Sequence, residues 1–129
     1  QGEVKMKIIK VKGKREPILG VGNLKSKRDF TDVRDMVKAY LLCLEKGIPG
    51  DVYNLGSGRS YEISEILDKL LSLSNSKIQI EVDKSLLRPA DNPELVCNYE
   101  KFFKITGWKP EISLDQTLTD TLDYWRNII

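Results

Sequence analysis

The sequence predicts an α/β (α+β) fold, and three observations carry that prediction. Strand-like and helix-like segments alternate along the chain, helical stripes recur at intervals of three and four, and glycine or proline punctuates the junctions between them. Four helices and about three to four short strands follow from this reading. At 129 residues, 40% hydrophobic and 31% charged, the chain fits one domain and is not disordered by composition. No apolar run approaches the roughly 18 residues of a bilayer crossing, so no membrane role is expected, and no signal peptide opens the chain.

Residues 1–16 read as a basic N-terminal arm or strand in which Val4, Met6 and Ile8 alternate with polar residues. Residues 17–129 read as the domain proper. Pro17 to Gly22 is a strand that ends in the turn-rich Gly22-Asn23 pair. From Asp32 to Lys46, Val33, Met36, Val37, Tyr40, Leu41 and Leu44 form one helical stripe, capped by Thr31 or Asp32 and ended by Gly47 and Pro49. Asp51 to Leu55 reads as a strand running into Gly56-Ser57-Gly58. A helix follows, with Ile63, Ile66, Leu67, Leu70 and Leu71 inward, and then a strand in which Ile78, Ile80 and Val82 alternate. Leu86 to Pro93 is a proline-bounded loop. Asn98 caps a short helix through Phe102 and Phe103 that Gly107 stops. Ser113 with Gln116 makes a capping box, and Leu114, Leu118, Leu122 and Trp125 follow on one helical face. Trp108 and Trp125 read as packing aromatics.

Composition excludes several chemistries. There are no histidines, so zinc sites and imidazole-based catalysis lose their usual ligand or base. Cys43 and Cys97 lack metal-ligand spacing and read as reduced, unpaired thiols of a cytoplasmic protein. The net charge of +2 hides an asymmetry: residues 1–28 carry nine Lys or Arg against Glu3 and Glu16, whereas the remainder is acidic. A basic arm can engage nucleic acid, but no aromatic residue interleaves Lys5 to Lys14, which favours a solvated lysine-lined face.

Three loops carry candidate binding chemistry. Gly56-Ser57-Gly58 lacks the third glycine of a dinucleotide fingerprint, since Tyr61 stands where it is required; a tight turn explains both glycines, although amides at that helix start can hold an anion. Arg28 offers a planar fork for phosphate, with Asp29 beside it to hold the guanidinium; the same pair can equally be a surface ion pair. Arg88 and Asp91 sit on a loop stiffened by Pro89 and Pro93, suited to a phosphate and to sugar hydroxyls, or to an ordinary rigid connector. Asn54 near a strand end can face a ligand or satisfy turn backbone.

Four blocks in order (VGNLKSKRDFTDVRDMVKAYLL, DVYNLGSG, LLRPADNPEL and ITGWKPEISLDQTLTDTLDYWRN) resemble the C-terminal part of the extended short-chain dehydrogenase/reductases. The resemblance is to the group of GDP-mannose 4,6-dehydratases and GDP-4-keto-6-deoxymannose reductases. Where the dehydratases carry Arg-Asp-Trp-Gly-His, this chain has Arg28-Asp29-Phe30-Thr31-Asp32, which looks more like the reductase branch. The resemblance implies a GDP-sugar substrate, with Arg28 and Arg88 on the diphosphate, Asp91 on the ribose, and Gly22, Asn23 and Leu24 on the base side of the pocket. It implies NADP or NAD in the intact enzyme and none in this chain.

The family's Rossmann core and Tyr-x-x-x-Lys pair are missing. The residues four after Tyr40, Tyr53, Tyr61, Tyr99 and Tyr124 are Leu44, Ser57, Glu65, Phe103 and Ile128, so no lysine is placed to lower a tyrosine pKa. The expectation is therefore a GDP-sugar-binding part, inactive alone, whose Rossmann portion is missing or separate. The alternatives are a non-catalytic interaction or oligomerisation fragment, and a basic-arm nucleic-acid binder. Because Asp51–Leu55 would border the sheet of the intact fold, its edge is expected to be exposed and the chain to be a homo-oligomer.

Overall fold

The computed structural model describes residues 17–87 and 92–128. The arm of residues 1–16 and the Arg88–Asp91 stretch lie outside the described residues. Strand β1 (Ile18–Val21) pairs in parallel with β4 (Gln79–Val82), placing Leu19 opposite Ile80. A second sheet has the order β3-β2-β5: the middle strand β2 (Lys27–Asp29) runs antiparallel to β3 (Ser60–Glu62) and parallel to β5 (Glu94–Leu95). Arg28 therefore stands between Tyr61 and Leu95.

Helix α1 (Val33–Lys46) begins where the Asp32 carboxylate accepts from the Arg34 N–H, and ends where the Gly47 N–H reaches Cys43 O. Helix α2 (Ile63–Ser72) does not follow Gly58 directly, because β3 intervenes. Helix α3 (Glu100–Thr106) has its first amide held by Asn98 Oδ1 at 2.9 Å and closes on Gly107, whose φ of 74° is left-handed. Helix α4 (Leu114–Ile128) keeps half of its expected capping box. Ser113 Oγ accepts from Gln116 N at 3.2 Å, but the Gln116 amide turns forward to Asp120 instead of back to Ser113.

The core is small. Ala39, Phe102 and Trp108 are buried together, with Leu42, Cys43, Tyr53, Leu55 and Tyr99 packed around them. Phe102 meets the Tyr53 ring at 5.4 Å and the Trp108 ring at 5.8 Å, within the range of favourable tilted pairs. A second contact joins α2 to α4, where Ile66 and Leu118 are buried. Lys69 pairs with Asp115 across it, and Arg126 donates to Leu73 O.

Three expectations need correction. Asp51–Leu55 is not a strand: it is held by Lys101 Nζ on Asp51 and Val52 O, by a turn bond from Asp51 N to Ile48 O, and by Tyr53 and Leu55 against the core. An apolar alternating run makes a ladder only where another strand is offered to it. Trp125 is about half exposed and stacks edge-on against Tyr124, so it does not continue the buried face of α4. Helix α1 also turns the other way from a simple amphipathic reading: it buries Asp35 and Ala39 against α3 and exposes Val33, Val37, Tyr40, Leu41 and Leu44, the last at 86%.

The buried face of α1 carries one charged side chain, Asp35, beside apolar Ala39. Asp35 Oδ2 accepts from Glu111 N at 2.9 Å and Ile112 N at 2.8 Å, and Trp108 Nε1 donates to Asp35 O. These bonds lock the loop between α3 and α4 onto α1.

Candidate functional site

The middle strand β2 delivers Arg28 and Asp29 to the lining of a cleft of about 610 Å³. One wall is Asn54, Leu55 and Gly56; the other is Leu95 to Asn98. Arg28 Nη1 donates to Lys27 O at 2.7 Å and to Asn92 O at 2.8 Å, so the guanidinium rests on the chain emerging from the Arg88–Asp91 stretch. Asn54 lines the same cleft.

Asp29 does not hold that guanidinium as expected. Its Oδ1 accepts from Ser57 N at 2.9 Å and Ser57 Oγ at 2.5 Å; its Oδ2 accepts from Gly58 N at 2.9 Å and Cys97 N at 3.0 Å. Burial alone pushes the carboxyl pKa up, but the Ser57 hydroxyl and the three backbone N–H groups outweigh it and leave the group below its ordinary range. The same burial, with Asp29 nearby, raises the Cys97 thiol. An anion does sit on the Ser57 and Gly58 amides, and it is the protein's own aspartate. Those amides are therefore not offered to a dinucleotide phosphate, and the loop does not fit a nicotinamide cofactor.

Gly22, Asn23 and Leu24 do not line this cleft. Asn23 folds back on its own turn, accepting from Lys25 N and donating to Ser26 Oγ, while Leu24 O accepts from Ser64 N at the start of α2. Gly22 lies against Leu86, where an added Cβ would come within 3.0 Å of the carbonyl oxygen. So the residues before the Arg88–Asp91 stretch touch Gly22, and those after it touch Arg28; Arg88 and Asp91 themselves lie outside the described residues. Sequence reasoning missed Cys97 and Asn98 as lining residues and the bridging role of Asp29, whose donors are 28 and 68 residues away.

Among the described residues no group of His, Cys, Asp and Glu could hold a metal ion, and no helix is long and apolar enough to cross a membrane.

A family model for GDP-mannose 4,6-dehydratase matches residues 2–121. The chain belongs to that family. Among curated relatives, GDP-6-deoxy-D-mannose reductase of Pseudomonas aeruginosa is 35% identical over 109 residues, covering 84% of this chain and 36% of the relative. The solved structure of RMD from Pseudomonas aeruginosa, complexed with NADPH, superposes with a TM-score of 0.80 at 34% identity, covering 87% of this chain and 37% of that one. A UDP-glucose 4-epimerase from Thermotoga maritima, solved with UDP-glucose, gives a TM-score of 0.72 at 27% identity and covers 88% and 35% of the two chains. This member of the family thus spans about a third of the length of the relatives it matches. Its four helices and few short strands correspond to one part of their Rossmann-type fold.

Proposed function

We propose that this chain is the GDP-sugar-binding portion of an NAD(P)-dependent GDP-sugar reductase or dehydratase, without turnover alone. The observation that carries the reading is the position of Arg28. It stands on the middle strand and lines a cleft, with its guanidinium seated on the segment that follows Arg88, Pro89, Ala90 and Asp91. A planar guanidinium so braced keeps a fixed direction, which suits bidentate recognition of a diphosphate. Arg88, Asp91 and the Gly22-Asn23-Leu24 turn are assigned to the rest of the nucleotide by family resemblance. In the intact enzyme the cofactor would exchange hydride with the hexose C4 carbon, NADPH or NADH giving it in a reductase and NADP or NAD taking it in a dehydratase. This chain's residues act at a distance, holding the nucleotide end so that the sugar keeps one orientation, and such remote binding lowers the barrier by fixing geometry.

Ligand-observed NMR with GDP-mannose and UDP-glucose tests the reading. Saturation transfer to GDP-mannose, weakened tenfold or more by Arg28→Ala, supports it; no transfer from either nucleotide sugar overturns it. Product formation from GDP-4-keto-6-deoxymannose and NADPH by the 129-residue chain would overturn the claim of inactivity alone.

The exposed stripe of α1 favours a second reading, an interaction or oligomerisation role in which copies of the chain associate. Val33, Val37, Tyr40, Leu41 and Leu44, with Ile48 and Val52 beyond the helix, form an apolar surface of the kind that marks a protein contact. The nucleic-acid reading concerns the basic arm, and a gel shift at low salt decides it.

A further inference from the structure

We propose that Asp29 is the positioning residue of the cleft, a carboxylate that ties its two walls together and thereby sets the spacing a ligand meets; this rests on reading the cleft as the GDP-sugar site. An ionised carboxylate is acceptor-only with room for about four hydrogen bonds. Four come from Ser57 and Gly58, which continue the Asn54–Gly56 wall, and from Cys97 on the other wall, and Thr31 Oγ1 adds a longer one to Oδ1 at 3.4 Å. Oδ1 takes both Ser57 donors, while Oδ2 bridges Gly58 N, on the loop that continues one wall, and Cys97 N on the other wall.

No neutral isostere reproduces this. Asparagine has a single acceptor oxygen. If that oxygen takes the Oδ1 place, the Cys97 wall loses its bond; if it takes the Oδ2 place, Ser57 loses both. In either orientation an NH₂ group faces a backbone N–H. Asp29 neighbours Arg28 on the same three-residue strand, so a shift of either wall also moves the frame in which the guanidinium is held.

A second contact of unrelated chemistry closes the same junction. Gly56 is buried, and a Cβ added there would fall 2.3 Å from Cys97 Cβ and 3.1 Å from Asp29 Oδ2. The walls meet only because one of them has no side chain at that point. Charge at Asp29 pulls the walls together, and the missing Cβ at Gly56 lets them touch.

GDP-mannose titrations of the 129-residue chain by NMR, run where every variant is folded, test the proposal. Asp29→Asn and Gly56→Ala are each expected to weaken binding tenfold or more, and Ser57→Ala about threefold. In Asp29→Asn the amide signals of Ser57, Gly58 and Cys97 shift and exchange faster. Asp35→Asn is the control for a merely structural effect: it perturbs a buried aspartate that ties α1 to Glu111 and Ile112, and is expected to lower stability while the Kd stays within twofold. Wild-type affinity in Asp29→Asn and Gly56→Ala overturns the positioning role while the substrate reading stands. Absence of GDP-mannose binding by the wild type overturns the substrate reading and this role with it. If the first two variants fail to fold, Ser57→Ala decides, and wild-type affinity there overturns the proposal.

Discussion

Replacing Asp35 by alanine removes the acceptor for two backbone N–H groups at once, and the cost can be worked from the geometry. The side chain is 1% exposed, and Oδ2 receives Glu111 N and Ile112 N at 2.9 and 2.8 Å. A hydrogen bond to a charged group contributes about 1.5–3 kcal/mol, and the two amides are partly buried, so water compensates some of the loss. Asp35→Ala is therefore expected to cost about 3 kcal/mol. Asparagine can present its oxygen at the Oδ2 position and keep both bonds, without the charge. Its NH₂ then takes the place of Oδ1, which receives no hydrogen bond and lies 3.7 Å from Lys38 Nζ, so an attractive charge contact becomes an NH₂ facing an ammonium. Asp35→Asn should cost about 1–2 kcal/mol. Urea unfolding followed by circular dichroism reads both; with a slope of about 2 kcal/mol per molar, the alanine variant unfolds roughly 1.5 M earlier at unchanged slope. An alanine variant within 0.5 kcal/mol of wild type, or an asparagine variant as damaged as the alanine one, would refute the view that these two bonds lock the loop between α3 and α4 onto α1.

Three further outcomes follow from the same coordinates. The Arg34 side chain, opposed by burial and aided by the Thr117 hydroxyl and the Arg34 N–H, holds Asp32 well below the usual carboxylate range. The unfolded chain then takes up the proton first as pH falls, so this stabilisation is complete above about pH 4 and is lost as pH drops through the lower native value. Unfolding free energies measured from pH 5 downward should fall less steeply in Asp32→Asn than in wild type; parallel curves would contradict this. Phe102→Ala empties the centre of the small core, where Phe102 is fully buried, and should cost about 3–5 kcal/mol in the same urea assay. Leu44→Lys alters a side chain that is 86% exposed, so stability should stay within about 0.5 kcal/mol while light scattering shows a smaller assembly than wild type; an unchanged mass removes α1 from the contact.

Helices were legible in the residues because their signals are local. The Asp32 cap, the Gly107 stop and the Ser113 bond to Gln116 all act within about four residues, and the spacing of apolar positions sets which residues share a face. Which face is covered depends on what packs against it. Ala39 and Asp35 are inside because α3 and the Glu111–Ile112 amides come to them, leaving Val33, Val37, Tyr40, Leu41 and Leu44 outside. The same holds for Asp51–Leu55, whose composition suits a ladder but whose partners here are Lys101 and the core. At the cleft, Arg28 was readable from its fork-shaped chemistry beside a helix start. The role of Asp29 was not, since its donors arrive from 28 and 68 residues along the chain and no local rule anticipates such a meeting. Hydrogen bonds across that distance exist only after the chain has folded, so tertiary structure alone decided that the carboxylate next to Arg28 serves the two walls and not the arginine.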